Sequence, residues 1–563
     1  MELLDWIVIA LYFMLIGWVA WWYGRHQKDS VDYFLAGRNA GWIVIGASIF
    51  TANIGSEHIV GLAGQGATTG LAMAHWELHA WVLIMLAGLF VPFYYKSGVE
   101  TIPEFLEKRF NARARWILSC VSLVAYVFTK VSVTVYAGAV VFQALLPNTF
   151  GTPENAFWVG AFTTVILTGI YTVFGGMRAI MNTATPQAVV ILFGSFLITA
   201  IGLERLGGWG ELVNMCRMNR EAFSLWRPLS DPTFPWLAVL VASPIIGVWY
   251  WCTDQYIVQR TLSAKNLATA RRGALFGGLL KVWPVLIFMI PGMIGWALHQ
   301  KGLMQLPTMM VNGVATIRTD LTFATLVKEL LPTGIRGLIV ACLLAALMSS
   351  LASLFNSSAS LFTVDIYEKL RPGQSPQHLL KVGRVATATV VVLGIIWIPV
   401  MERVSGGGLY QYLQNVQGYL APPITAVFLL GLFWKRINGA GAVWGLSGGF
   451  VLGMIKLTLQ TFYGAGEGRI HSPALFAAIG DFNPYYATGV LLLLSAVIIV
   501  AASLVTPPPA EEKVRDLTYG SIHSDPAAEA EIKASWDFGN KLMVFLILAG
   551  VIGMYGYFTF WLN

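Results

Sequence analysis

Apolar stretches of about 20 residues recur along the whole chain and are separated by short polar connections. A stretch of this length is what an α-helix needs to cross the hydrocarbon core of a bilayer. The pattern therefore predicts an all-α integral membrane protein with about 14 transmembrane helices. The predicted spans lie near residues 4–23, 41–70, 77–96, 114–146, 155–174, 182–202, 234–258, 271–298, 335–363, 380–401, 407–433, 440–462, 484–505 and 540–562.

Composition agrees with this pattern and excludes other classes of protein. Of 563 residues, 56% are hydrophobic and only 12% are charged, which is typical of a polytopic membrane protein. The formal net charge is +7, but Lys and Arg occur in short clusters between the apolar stretches, where they control topology. We therefore expect the lipid bilayer, and no nucleic acid, among the partners of this chain.

The same basic clusters predict how the chain is oriented. The loops on one side are richer in Lys and Arg, for example at Arg25, Lys28, Lys108 and Arg109. Because the richer side is normally cytoplasmic, we expect both termini to face outward from the plasma (cytoplasmic) membrane. The polar stretch Pro507–Lys533 would then lie in the cytoplasm, without a core of its own.

Two of the spans contain residues that interrupt helices. The run TANIGSEHIVGLAGQG, starting at Thr51, mixes four glycines with polar residues, and the run SPIIGVWYWCTDQ contains Pro244 and Gly247. Unwound segments at corresponding places in two halves of a chain are typical of transporter binding sites, because freed carbonyls can hold a cation. The alternative is an ordinary Pro or Gly kink in each span.

A few ionisable and amide residues lie inside otherwise apolar spans. Such groups are costly in hydrocarbon unless they find partners or face a cavity. Their presence predicts a membrane protein that handles a polar solute. Two local alternatives stay open, namely a structural salt bridge between Glu77 and Lys281 and a satisfied buried histidine at His58. The residues concerned are Asn53, His58, Glu77, Lys281 and Gln414.

Five longer strings resemble the sodium:solute symporter family, and within it the sodium/glucose cotransporter branch. They are DYFLAGRNAGW, TIPEFLEKRF, WYWCTDQYIVQRTLSAKN, LMSSLASLFNSSASLFTVDIY and LAPPITAVFLLGLFWKR, within a similarity that runs from about Asp5 to Arg436. The resemblance implies ten core helices in two inverted five-helix repeats, with discontinuous first and sixth core helices. Applied to this chain, it implies an extra helix at 4–23, repeats at 41–202 and 234–433, additional helices at 440–505, a cytoplasmic polar loop at 506–539 and a C-terminal helix at 540–562.

The resemblance also implies two binding sites. Sodium would bind the backbone carbonyls of Thr51, Ile54 and Ala346 and the hydroxyls of Ser349 and Ser350. Positions 346, 349 and 350 share one helix face, although serines in spans commonly bond back to their own helix instead. The sugar would be bound by Asn53, His58, Glu77, Trp251, Lys281 and Gln414. The gates would be Leu62, Trp76, Tyr250 and Tyr410.

The resemblance therefore implies a sodium-coupled symporter that imports a neutral monosaccharide of the glucose or galactose type by alternating access. Relatives with a second sodium site carry an Asp and a Thr where this chain has Ala184 and Ala352, so we expect one sodium ion per sugar. Gly247 stands where relatives carry a polar residue near the sugar, so the identity of the preferred sugar stays open. The alternatives are a symporter of myo-inositol or another polyol and a sugar-gated sensor or ion channel. An enzyme is not expected, because the spans show no paired carboxylates, metal-ligand cluster or nucleophile with its base.

Overall fold

A computed structural model describes the backbone of residues 1–25, 27–147, 149–311, 314–404, 409–466, 469–522 and 526–563. The described side chains exclude, in addition, those of residues 56–57, 128, 311, 314, 397–404, 409–412 and 527–528. The helices of the membrane region, numbered here in chain order, are α1 Leu3–Gly24, α2 Trp42–Asn53, α3 Ser56–Thr69, α4 Ala74–Ser97, α5 Ala112–Leu145, α6 Pro153–Leu206, α7 Trp236–Thr253, α8 Gln255–Leu262, α9 Leu267–Gln300, α10 Ile335–Leu370, α11 Pro376–Val404, α12 Leu409–Phe433, α13 Gly439–Phe462, α14 Pro484–Leu504 and α15 Phe538–Phe560.

The prediction of an all-α membrane protein is confirmed. Within the described residues, 12 helices are long and apolar enough to span a bilayer, and α2 with α3 forms a thirteenth, bent span. The helix α6 has 54 residues and would be about 80 Å long, more than twice the thickness of a hydrocarbon core. It contains the two predicted spans 155–174 and 182–202, and counting it as two restores the expected number.

Gly176 divides α6 into two helices. Its φ of 56° and ψ of −165° are not helical, and positive φ is a conformation that glycine adopts at little cost. A Cβ atom at this position would lie only 2.8 Å from the carbonyl oxygen of Tyr33. Both observations explain why a residue without a side chain joins the two spans.

The interruption predicted near Thr51 is confirmed. Helix α2 ends at Asn53, Ile54 has non-helical backbone angles (φ −82°, ψ 75°), and α3 begins at Ser56. The two helices meet at an angle of 55°. Because α2 stops here, no further turn of this helix supplies amide donors to the carbonyls of Thr51 and Ala52.

The second interruption lies later than its sequence signal. Pro244 and Gly247 remain inside the helical stretch Trp236–Val248. The break is at Asp254, whose backbone is extended (φ −84°, ψ 123°) and whose carboxylate accepts a hydrogen bond from the amide of Tyr256 at the start of α8. An aspartate in this role caps the next helix, so capping rather than Pro244 locates the break.

The most buried span is α10, which packs against α2 and α6, whereas α1 and α15 are mostly exposed to the surroundings of the protein. The segments between spans are also folded. A helix, Trp209–Met218, lies between α6 and α7, and an antiparallel pair of strands, β1 Thr308–Val311 with β2 Val314–Ile317, lies between α9 and α10.

The polar stretch after α14 is held against the ends of the helices. Lys96 Nζ lies 2.9 Å from an Asp516 carboxylate oxygen, and Lys513 Nζ donates to the carbonyl of Glu107 at 3.0 Å. The stretch contains short helices, among them Tyr519–Ile522, and Ile522 is buried. The sequence predicts too few apolar residues for a core in this stretch, and contacts with the helix bundle hold it in place instead.

Candidate functional site

Polar residues from five parts of the chain converge on one internal cavity. The junction of α2 and α3, the beginning of α4, the end of α7, the middle of α9 and the first half of α12 all contribute side chains. All six residues predicted to bind the solute line it, as do two of the predicted gates. The lining residues are Asn53, His58, Trp76, Glu77, His79, Ile246, Tyr250, Trp251, Lys281, Gln414 and Gln417.

Glu77 and Lys281 form an ion pair in the wall of this cavity. The Lys281 ammonium donates to Glu77 Oε2 at 2.5 Å, and the two side chains are 2% and 1% exposed, respectively. The other carboxylate oxygen of Glu77 lies 4.0 Å from His58 Nε2. The ammonium lies 5.6 Å from the centre of the Trp251 ring. Pairing makes the burial of two charges tolerable and leaves the cavity close to neutral.

Amide groups add both donors and acceptors. Asn53 Nδ2 lies 3.2 Å from His58 Nε2 and donates to the Tyr250 hydroxyl at 3.2 Å. Among the described residues, no donor reaches the buried oxygens Asn53 Oδ1 and Gln414 Oε1. Buried polar atoms normally have partners, and an amide oxygen in a cavity can accept a hydrogen bond from a solute hydroxyl.

Sequence reasoning missed His79 and Gln417. His79 Nε2 lies 3.0 Å from the Ser243 hydroxyl, and its ring rests on Gly247, where a Cβ atom would approach Nδ1 to 3.1 Å. The glycine thus leaves room for the imidazole. The same signal that selected Glu77, an ionisable group within an apolar span, was available for His79, and Gln417 follows Gln414 by one helical turn.

The cavity is narrow in this conformation. Its volume is about 30 Å³, which is room for one or two water molecules, whereas ligand pockets usually exceed about 300 Å³. Aromatic rings fill much of the surrounding space: Tyr250 packs edge-on against Trp251 at 4.9 Å, and Trp76 contacts Tyr485 of α14 at 4.9 Å. A solute larger than water therefore requires these side chains to move.

The predicted gates divide into three groups. Trp76 and Tyr250 line the cavity. Leu62 is fully buried in α3 and is not among the lining residues. The side chain of Tyr410 lies outside the described residues.

Next to the cavity, α10 approaches the open end of α2. The Ser350 hydroxyl lies 3.4 Å from the carbonyl oxygen of Thr51 and 3.2 Å from that of Ala52. The hydroxyl therefore points to α2. The alternative, that Ser350 bonds back to its own helix, is not what the structure has. Carbonyls at a helix C-terminus carry partial negative charge, and neutral oxygens of this kind suit a hard cation bound weakly.

The remaining residues predicted for sodium lie on the two elements that meet here. Ala346 and Ser349 are buried on α10, and Ile54 is the non-helical residue after α2. The Ser349 carbonyl accepts a hydrogen bond from the Ser353 hydroxyl at 2.7 Å. The donor set is made of carbonyl and hydroxyl oxygens, so it fits sodium.

Comparison with known proteins gives one consistent result. The sequence profile of the sodium:solute symporter family matches residues 33–449. The human sodium/myo-inositol cotransporter is 39% identical over 82% of this chain and 68% of its own length. The rat sodium/glucose cotransporter 2 is 40% identical over 84% of this chain and 75% of its own length.

The fold is shared with a solved structure described as a substrate-bound, outward-open Na⁺-coupled sialic acid symporter. That structure aligns with a TM-score of 0.74 and 22% identity, over 90% of this chain and 98% of that one. At this identity the likeness concerns the fold alone. Together with the profile match and the identities above, it leads to one conclusion: this chain belongs to the sodium:solute symporter family.

Proposed function

We propose that this protein imports a neutral, hydroxyl-rich solute, a hexose of the glucose or galactose type, together with sodium. The observation that carries the proposal is the convergence of Asn53, Glu77, Lys281 and Gln414 on one cavity. A sugar hydroxyl both donates and accepts hydrogen bonds, so it matches a wall that combines a carboxylate, an ammonium and amides. The paired charges disfavour an ionic solute, because that solute would bring an unpaired charge into the interior.

The arrangement supports transport by alternating access. Sodium would bind between the open end of α2 and Ser350, and this would favour the outward-facing state that binds the solute. Release of sodium into the cytoplasm would then weaken solute binding. Because the two sites are coupled, solute must tighten sodium binding by the same factor. The solute is expected to leave chemically unchanged, as in a transporter and not an enzyme.

Orientation and domain boundaries are part of this proposal. Both termini would lie outside the cytoplasmic membrane, in agreement with the distribution of Lys and Arg. The two inverted repeats would occupy residues 41–202 and 234–433, and the segment 506–539 would face the cytoplasm.

Uptake into proteoliposomes tests the function. Labelled glucose, galactose and myo-inositol are offered with either sodium or choline outside. We expect saturable uptake of a hexose with sodium only, and recovery of the same compound from the lumen. Preference for myo-inositol, which relatives of this chain transport, would move the proposal to the polyol class. A sodium current far larger than solute flux would replace it with a sugar-gated channel, and sodium-independent uptake would refute coupling.

One sodium ion is expected to accompany each solute molecule. Ala184 and Ala352 are both fully buried, and their methyl groups offer no oxygen to a second ion. At equilibrium and zero membrane potential, a tenfold sodium gradient should then support about tenfold accumulation of solute, whereas two ions would support about a hundredfold. The measurement is the accumulation ratio in proteoliposomes at several imposed gradients. A slope of two in the logarithmic plot would contradict the assignment.

A further inference from the structure

Tyr256 contacts the helix end at which sodium is proposed to bind. This residue lies in the first turn of α8, is buried, and its hydroxyl donates to the carbonyl oxygen of Ala52, the residue before the last one of α2. We propose that Tyr256 is a positioning residue for the ion site: it holds the last turn of α2 so that the Thr51 carbonyl remains available to sodium. The inference rests on the proposed sodium coupling and adds a residue outside the predicted ligand set.

The carbonyls at this end of α2 are used in different ways. The Phe50 carbonyl accepts the amide of Ile54 at 2.8 Å, and the Asn53 carbonyl accepts that of Gly55 at 2.9 Å. The Ala52 carbonyl accepts a hydrogen bond from the Tyr256 hydroxyl and a second, at 3.2 Å, from the Ser350 hydroxyl. Among the described residues, the Thr51 carbonyl has only the 3.4 Å contact from the Ser350 hydroxyl, which is long for a hydroxyl donor. Because the Tyr256 hydroxyl already donates to the Ala52 carbonyl, the Ser350 hydroxyl can rotate so that its oxygen and the Thr51 carbonyl oxygen face a cation.

A buried arginine fixes α8 to both walls of the ion site. Arg260, one turn after Tyr256, donates through Nε to the carbonyl and hydroxyl oxygens of Ser48 at 3.1 and 2.9 Å. Its other nitrogens donate to the Ser353 hydroxyl and to the Tyr256 carbonyl. Ser48 lies on α2 and Ser353 on α10, each one turn from a residue proposed to bind sodium. The backbone that carries Tyr256 is therefore attached to the two helices whose separation defines the ion site.

Further contacts hold the ring and the backbone of Tyr256. Lys130 of α5 places its ammonium 4.8 Å from the centre of this ring and pairs with Asp254, a geometry in the range of cation–π attraction. Asp254 in turn accepts the backbone amide of Tyr256 at 3.3 Å. Both contacts involve the ring or the backbone, so replacing Tyr256 with phenylalanine preserves them and removes only the hydroxyl.

The test compares sodium binding by wild type and Tyr256→Phe. Without the tyrosine hydroxyl, the Ser350 hydroxyl is expected to donate to the Ala52 carbonyl and to turn away from the Thr51 carbonyl. Sodium must then displace the bond between Ser350 and Ala52. The sodium concentration for half-saturation should rise roughly fivefold, the equivalent of one hydrogen bond. It is measured by equilibrium binding of ²²Na⁺ to the purified protein and by the sodium dependence of uptake. At saturating sodium, the solute concentration for half-maximal uptake should change less than about twofold.

Tyr171→Phe is the matched control, because the Tyr171 hydroxyl also donates to a backbone carbonyl, that of Met348 on α10, at 2.9 Å. It should leave sodium binding unchanged. An equal shift in Tyr171→Phe, or no shift in folded Tyr256→Phe, would overturn the assignment. A Tyr256→Phe protein that does not fold, or that only loses maximal rate, would assign the hydroxyl to the fold and overturn it as well. Absence of sodium binding by wild type would instead refute the proposed function itself.

Discussion

Replacing Glu77 with glutamine is expected to abolish uptake. The change replaces the carboxylate acceptor of a 2.5 Å bond with a neutral amide and leaves the Lys281 ammonium, 2% exposed, without its counter-charge. Removing one partner of a buried ion pair typically costs about 3–5 kcal/mol. Uptake per folded molecule at saturating sodium should fall at least about a hundredfold, and the amount of folded protein should decrease as well. Uptake per folded molecule is the measurement, with the folded amount taken from size-exclusion chromatography.

The double variant Glu77→Gln with Lys281→Met separates the two interpretations of this pair. It removes both charges, so the uncompensated ammonium no longer destabilises the fold. If the pair binds the solute, the double variant should fold and still fail to transport. Restored uptake would mean that the salt bridge is only structural. Asp5→Asn serves as the control, because Asp5 is fully buried and pairs with Arg336 at 2.9 Å on another part of the protein; it should reduce stability without changing the solute concentration for half-maximal uptake.

Replacing Ser350 with alanine is expected to raise the sodium concentration for half-maximal uptake roughly tenfold or more. The hydroxyl is the group on α10 that faces the carbonyls of Thr51 and Ala52, and a polar contact with a charged group is worth about 1.5–3 kcal/mol. Solute selectivity should be retained, because Ser350 does not line the cavity. The measurement is hexose uptake against sodium concentration, together with competition by other sugars.

Ser358→Ala is the matched control for this experiment. Ser358 is also fully buried on α10, two turns further along, and in the described part of the chain its hydroxyl has no hydrogen-bond partner. Its removal should leave the sodium dependence as in wild type. An equal loss of sodium dependence and sugar selectivity in folded Ser350→Ala would contradict the separation of the two sites.

The histidines of α4 show where sequence reasoning about the site ends. His75 and His79 lie in the same span, one turn apart, and both are buried. His75 is held by contacts outside the cavity, with the Tyr555 hydroxyl at 3.0 Å and the Leu225 carbonyl at 3.1 Å, whereas His79 lines the cavity. The sequence pattern does not distinguish the two histidines, because their different roles depend on which helix packs against each face of α4.

The two interruptions make the same point for the backbone. Glycine and polar residues after Thr51 predicted the break between α2 and α3, since the local sequence itself disfavours a continuous helix. Pro244 and Gly247 suggested a second break, yet both are helical. The actual break at Asp254 depends on a carboxylate that caps α8 and also pairs with Lys130 of α5. The ion pair between Asp254 and Lys130 joins residues that are distant in the chain, so no pattern in the sequence around Asp254 predicts it.

The sequence by itself determined the class of the protein, the approximate position of its spans and the types of polar group available within them, because hydropathy is a property of about 20 consecutive residues. Only the tertiary structure decided which of those groups meet. Glu77 and Lys281 are separated by 204 positions, and Ser350 is separated from Ala52 by 298. Such contacts follow from how whole helices pack, and in a low-dielectric interior each buried polar group gains stability only from the partner that packing brings to it.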